Sequence, residues 1–132
     1  MTEPVFIKGW QVPGVEVPPP NKRLLKVLMS PEVNGTHDLT LLFSLIPPGS
    51  TTGVHTHEGV EIQYVATGRG ESTVGDEKSS VEPDTIIHAP AGISHEVRNT
   101  GDETLKLVCF FIPPLEPTGY FEKAIQAAKQ SR

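Results

Sequence analysis

The strongest apolar runs of this chain are short, and prolines or glycines stop them. Residues 39–46 (LTLLFSLI) end at Pro47-Pro48-Gly49, residues 61–67 (EIQYVAT) at Gly68, and residues 104–112 (TLKLVCFFI) at Pro113-Pro114. Proline lacks a backbone donor and blocks a helix interior, so runs of this length between such stops read as strands. The 13 prolines and 12 glycines are spread along the 132 residues rather than pooled in one tract. That distribution suits many short strands joined by turns, and it predicts an all-β domain.

Residues 70–75 and 78–82 read as two short strands around Gly75-Asp76, and residues 85–89 and 94–99 as two more. Residues 22–29 (KRLLKVLM) fit strand or helix by periodicity, and their length and the following Ser30-Pro31 favour a strand. The unbroken run 39–46 reads as a strand buried on both sides. Asn34-Gly35 reads as a hairpin-type turn. Residues 1–20, ending in Pro18-Pro19-Pro20, read as an extended arm. Only residues 119–131 have helical spacing, with Phe121, Ala124, Ile125 and Ala128 on one face. The expectation is one barrel domain over 21–132, with eight to ten strands and a C-terminal helix.

The formal charge is −5 and no cluster of Lys or Arg stands out, which argues against binding to duplex nucleic acid. No stretch reaches the ~20 apolar residues of a membrane span. Cys109 is the single cysteine and cannot form an internal disulfide. With an opening segment, MTEPVFIKGW, that lacks a signal-peptide core, these features predict a cytoplasmic protein.

The chemistry concentrates in two segments. His55 and His57 are two apart, so on an extended segment both imidazoles point to one side. Glu61 has the same parity, but a straight strand would carry it ~13 Å past His57 at ~3.3 Å per residue. Sharing an ion therefore demands a bend at 58–60, and Gly59 supplies the freedom for it. Farther along, Pro90 and Gly92 turn the chain into a strand that aims His95 inward.

These segments match the paired motifs of the cupin superfamily. The first, G-x5-H-x-H-x3,4-E-x6-G, is complete from Gly49 to Gly68. The second, G-x5-P-x-G-x2-H-x3-N, is met at Pro90, Gly92, His95 and Asn99, with Asp84 in place of its opening glycine. Aspartate tolerates a left-handed turn, so a local change is expected there. The chain thus resembles a small one-domain cupin. The resemblance implies a double-stranded β-helix, or jelly roll, with His55, His57, Glu61 and His95 as ligands of one divalent metal.

Three neutral imidazoles and one carboxylate suit Fe, Mn, Ni, Co, Zn or Cu better than Mg or Ca. An octahedral ion with these ligands keeps two positions open for water, dioxygen or a chelating substrate. The leading reading is an enzyme acting on a small oxo- or hydroxy-acid or carbonyl compound. Its chemistry is of dioxygenase type or of lyase, isomerase or decarboxylase type. The alternative is a small-molecule-binding or sensing module without turnover. Gln63 and Val65 share the parity of Glu61, Val97 and Asn99 that of His95, and Leu107, Cys109 and Phe111 lie on one strand face. Gln63 and His88 are the candidate polar groups for catalysis, His88 if its strand turns it inward. Tyr64 falls outside the cavity by parity, Cys109 reads as a buried small hydrophobe, and His37, Arg69 and Arg98 as surface groups. The resemblance and the patternless arm together suggest a homodimer.

Overall fold

The computed structural model describes residues 5–130. Residues 1–4 of the expected arm and residue 131 of the expected helix lie outside them. The described chain forms strands β1 (Val15–Val17), β2 (Arg23–Met29), β3 (Thr40–Ile46), β4 (Val60–Thr67), β5 (Gly70–Val74), β6 (Glu77–Val81), β7 (Ile86–Ala89), β8 (His95–Asn99) and β9 (Leu105–Ile112). Helices α1 (Pro31–Asn34) and α2 (Gly119–Gln130) complete it. One sheet has the order β1-β2-β3-β9-β4-β7 and the other β6-β5-β8. All their strand pairs are antiparallel. This is the expected double-stranded β-helix with one C-terminal helix.

Alternation decides which side chains reach the interior. β4 buries Glu61, Gln63 and Val65 in turn, β8 buries His95, Val97 and Asn99, and β9 buries Leu105, Leu107, Cys109 and Phe111. In register, Glu61 lies opposite Phe111, Gln63 opposite Cys109 and Val65 opposite Leu107. The interior is therefore layered. Ile46, Val65, Leu105 and Leu107 are fully buried and form its apolar part.

Three local expectations change. β3 is not buried on both sides but alternates, with Thr40, Leu42, Ser44 and Ile46 inward. Its apolar outer row is partly covered instead, since the Lys106 ammonium sits 4.2 Å from the Phe43 ring centroid. Gly9 of the arm also packs so closely on Phe43 that a Cβ there would collide with the ring. Asn34-Gly35 is no hairpin. Ser30 caps the short helix α1 by accepting from Val33 N–H (3.1 Å), Pro31 takes its first turn, and Gly35 ends it in a left-handed conformation at φ 73°. Those are the residues such a helix needs at each end. Finally, residues 15–17 of the expected arm pair with β2 as a strand.

Asp84 has φ 71°, the left-handed conformation expected where the motif glycine is missing, and is the one non-glycine residue to do so among those described. Its carboxylate accepts a hydrogen bond from Tyr64 Oη, which lies on the outer face as its parity predicts. The hydrogen bond to Asp84, with desolvation and the Asp84 charge adding to it, raises the Tyr64 pKa. Asn99 clamps the fold from inside: its amide donates to Ile46 O and Glu103 O, both at 2.8 Å, and its Oδ1 accepts from Gly101 N–H at 2.9 Å. No helix among the described residues is long and apolar enough to cross a membrane.

Candidate metal centre

Residues 50–55 run beside β8 and extend its sheet. His55 and His95 face each other there and exchange both backbone hydrogen bonds (3.0 and 2.9 Å). That direct pairing sets two imidazoles side by side, with ring centroids 4.3 Å apart. His57 follows two residues on, and its carbonyl accepts from Gly92 N–H at 2.8 Å, which ties the first motif to the turn of the second. The chain then bends at 58–59 and enters β4, so Glu61 returns to the same point.

The bend occurs where it was expected, but the reason for glycine differs. A Cβ on Gly59 would lie 2.7 Å from both Ile112 O and Pro113 Cδ. Glycine is needed there for close approach to the end of β9, and its φ is not in the left-handed range.

One donor atom from each of His55, His57, Glu61 and His95 lies within 4.8 Å of the others. Glu61 Oε1 is 2.7 Å from His95 Nε2, 3.3 Å from His57 Nε2 and 3.6 Å from His55 Nε2. Neighbouring carbonyls orient two of the rings: His55 Nδ1 meets Gly53 O at 2.9 Å and His95 Nδ1 meets Ile93 O at 3.0 Å. A proton held on Nδ1 by a carbonyl leaves Nε2 as the donor to a metal. Gln63 Nε2 donates to Glu61 Oε2 at 2.7 Å and fixes the carboxylate plane. Despite its approach to Glu61, His57 Nε2 is buried and makes no hydrogen bond.

The electrostatics follow from this crowding. Burial disfavours the Glu61 charge, but the imidazoles and the Gln63 amide outweigh it and hold the carboxyl far below the usual range. Burial pushes His95 down, while the hydrogen bond to Glu61, the Ile93 carbonyl and the Glu61 charge push it up, and its pKa is raised on balance. Cys109 is buried, and desolvation together with the Glu61 charge raises its thiol well above the ordinary value, so it stays protonated. It is the small interior group that the sequence suggests.

His88 does not reach the cluster. β7 turns Ile87 and Ala89 inward, while His88 is exposed and lies in register with the outward Ile62. It lines an outer groove beside Ile86 and Ile93. Arg69 and Arg98 are surface groups paired with Glu82 and Glu96. Two interior residues were not anticipated: Arg23, at the start of β2, and Ser44, the polar member of the inward row of β3. With Leu42, Glu61, Gln63 and Cys109 they line an inner cavity of about 20 Å³. An outer cleft of about 570 Å³ lies against His57 and the 113–118 linker, and Phe111 and Phe121 wall both spaces.

The family's sequence model, described as a cupin domain, matches residues 42–111, just over half of the chain. This chain belongs to the cupin family. Among curated relatives, an uncharacterized protein of Methanocaldococcus jannaschii is 32% identical over 92 residues, covering 69% of this chain and 74% of that protein. An oxalate-binding protein of Thermotoga maritima is 32% identical over 79 residues, covering 58% of this chain and 65% of that protein. Among solved structures, a predicted oxalate decarboxylase of Thermotoga maritima superposes with a TM-score of 0.76 at 22% identity, covering 83% of this cupin and 99% of that chain. KdgF from a Halomonas species gives 0.72 at 22%, covering 86% and 97%. At those identities the structural likeness speaks for the fold.

Proposed function

We propose that His55, His57, Glu61 and His95 hold one divalent transition metal, from the set Fe, Mn, Ni, Co, Zn and Cu, and that the protein uses it on a small oxo- or hydroxy-acid or other carbonyl compound. The observation that carries this reading is the convergence of four donor atoms, one of them a buried His57 Nε2 that makes no hydrogen bond. Such a nitrogen costs about 1–3 kcal/mol, and a cation among the four donors removes that cost. Nitrogen donors with one carboxylate match these metals in softness.

When bound, the metal supplies Lewis acidity toward a carbonyl or carboxylate, and electron transfer if it is redox-active. The chain supplies the rest. The Gly53 and Ile93 carbonyls orient His55 and His95, and Gln63 holds Glu61 so that Oε1 faces the imidazoles. Phe111 packs nearly perpendicular to the His57 ring, at 5.0 Å between centroids, and shields that side from water. A similar curated protein, the oxalate-binding protein of Thermotoga maritima, supports a small acid.

Elemental analysis of protein purified without chelating tags tests the metal. The expected result is about one transition-metal ion per chain in the parent and loss of most of it in a folded His57→Ala variant. Full occupancy in that variant would refute the assignment. Turnover only with iron under air marks dioxygenase chemistry, whereas turnover under nitrogen with Mn, Ni or Zn marks a non-redox lyase, isomerase or decarboxylase. The second reading, a binding module without turnover, is favoured by the oxalate-binding relative and by the tight inner cavity. Mass spectrometry across a panel of carbonyl and carboxylate compounds separates them, because a pure binder returns every compound unchanged.

A further inference from the structure

The interior holds a cation for which the fourfold cluster has no use. Arg23 is half-buried at the start of β2, and its side chain lines the inner cavity together with Glu61, Gln63 and Cys109. Arg69 and Arg98 each pair with a surface carboxylate, but Arg23 forms no ion pair among the described residues. Its one hydrogen bond runs from Nη1 to Asn21 O at 2.9 Å, which leaves most of its five donors free. Burial lowers its pKa, with the fields of Cys109 and Glu61 opposing, so the guanidinium is desolvated without a close counter-charge.

Two more interior groups share that wall. Ser44 Oγ and Gln63 Oε1 are buried and have no hydrogen-bond partner. A serine in the row Leu42-Ser44-Ile46 costs stability when its hydroxyl is unpaired, as an apolar residue there would not. A guanidinium and a hydroxyl are both donors, and together they suit the planar acceptor oxygens of a carboxylate. Glu61 and His55, two of the four donors, line the same small cavity.

We propose that Arg23 and Ser44 form the far half of the ligand site and bind one carboxylate of a small dicarboxylate whose other end meets the metal. This rests on the metal-dependent reading above and names its ligand class. The cavity has room for about one water-sized group as it stands, so it admits a carboxylate only if its walls yield, and the ligand must be among the shortest dicarboxylates, of two or three carbons. Phe111 and Phe121 wall both this cavity and the outer cleft. A neutral or singly charged chelator meets the metal end and gains nothing from Arg23.

Calorimetric titration of the zinc-loaded protein with oxalate and with acetohydroxamate tests this. The second probe chelates a metal and presents a methyl group where oxalate presents its second carboxylate. Arg23→Gln is expected to weaken oxalate binding at least 30-fold, Arg23→Lys less because the charge stays while the fork is lost, and Ser44→Ala at least threefold. Acetohydroxamate affinity and zinc stoichiometry are expected to stay within threefold and unchanged, respectively. Arg23→Gln removes an unpaired half-buried charge, so the variant folds, and thermal unfolding of the zinc form verifies it. Unaltered oxalate affinity in Arg23→Gln and Arg23→Lys, with acetohydroxamate still bound, overturns the role of Arg23 and leaves the metal reading intact. Failure of both probes to bind the zinc-loaded parent overturns the open metal site and this inference with it.

Discussion

Two stretches of the barrel interior are lined by the same strands and hold together differently. β4 presents Glu61 and Gln63 and then Val65, β8 presents His95 and then Val97, and β9 presents Phe111 toward the cluster and Leu107 and Leu105 away from it. In the apolar stretch every buried group gains by leaving water, at roughly 25 cal/mol per Å². In the polar stretch an almost fully buried carboxylate is hydrogen-bonded by His95 and the Gln63 amide, with His55 and His57 beside it, and His57 Nε2 is left without a hydrogen bond. Buried charge is a poor source of stability, since the desolvation penalty offsets most of the attraction. The difference teaches that the fold is secured by one stretch so that the other can keep groups whose use is a ligand.

Substitutions should pull these two properties apart. The largest expected effect is that of Glu61→Gln on the metal. The variant keeps the shape and the contact to Gln63 but loses the only anionic ligand, so metal affinity should fall more than ~100-fold, beyond the range of changes behind the ligands. In a chelator its unfolding midpoint should move less than that of Leu107→Ala. Leu107→Ala is the mirror experiment. Leu107 is fully buried in the apolar stretch, and its truncation should cost ~2–5 kcal/mol in denaturant unfolding while the folded fraction keeps its full metal content. If Leu107→Ala emptied the metal site at low temperature, or Glu61→Gln unfolded the chain, the two stretches would not be separable.

Residues that work through local spacing were legible in the sequence. His55, His57 and Glu61 lie within seven residues, and His95 sits at a fixed offset from Pro90 and Gly92, so parity and two turns suffice to converge them. Residues that work through strand register were not. Arg23 reaches the interior because of where β2 begins, and nothing near it in sequence marks that point. His88 shows the same weakness from the other side. Its direction depends on how β7 pairs with β4, and counting back from Pro90 cannot supply that. The outer row of β3 looked like core because Phe43 is covered by a distant glycine and Lys106 rather than exposed. The Ser30-Pro31 start of α1 was readable in principle, but its four residues are too few to leave a periodic pattern.

The pH dependence of metal uptake is the next smaller effect. With no metal, His95 donates to Glu61 from Nε2, and its raised pKa keeps it protonated to higher pH than an ordinary imidazole. A metal must displace that proton, so affinity should keep rising with pH through the neutral range and level off only above the raised value. In the acid direction it should fall about tenfold per pH unit for each proton that the metal displaces. A chelator competition series between about pH 6 and 8 measures this slope. A flat profile would mean that no imidazole proton is exchanged for the metal, against the direct role given to His95.

The smallest effect belongs to His88, and it tests the comparison from outside. His88 is exposed on β7, opposite the outward Ile62, and the carbon skeleton of the sheet separates it from the four donors. A surface side chain away from caps, cavities and buried networks changes stability by no more than ~0.5 kcal/mol when truncated. His88→Ala should therefore leave the unfolding midpoint within that margin and metal affinity within twofold. Any turnover found for the parent should also be unchanged, since a general acid or base must come within hydrogen-bond reach of the reacting group. A tenfold loss of turnover with metal affinity intact would mean that β7 re-registers when ligand binds and brings His88 inward. The division between a fixed apolar interior and a reactive polar one would then extend to the strand pairing itself.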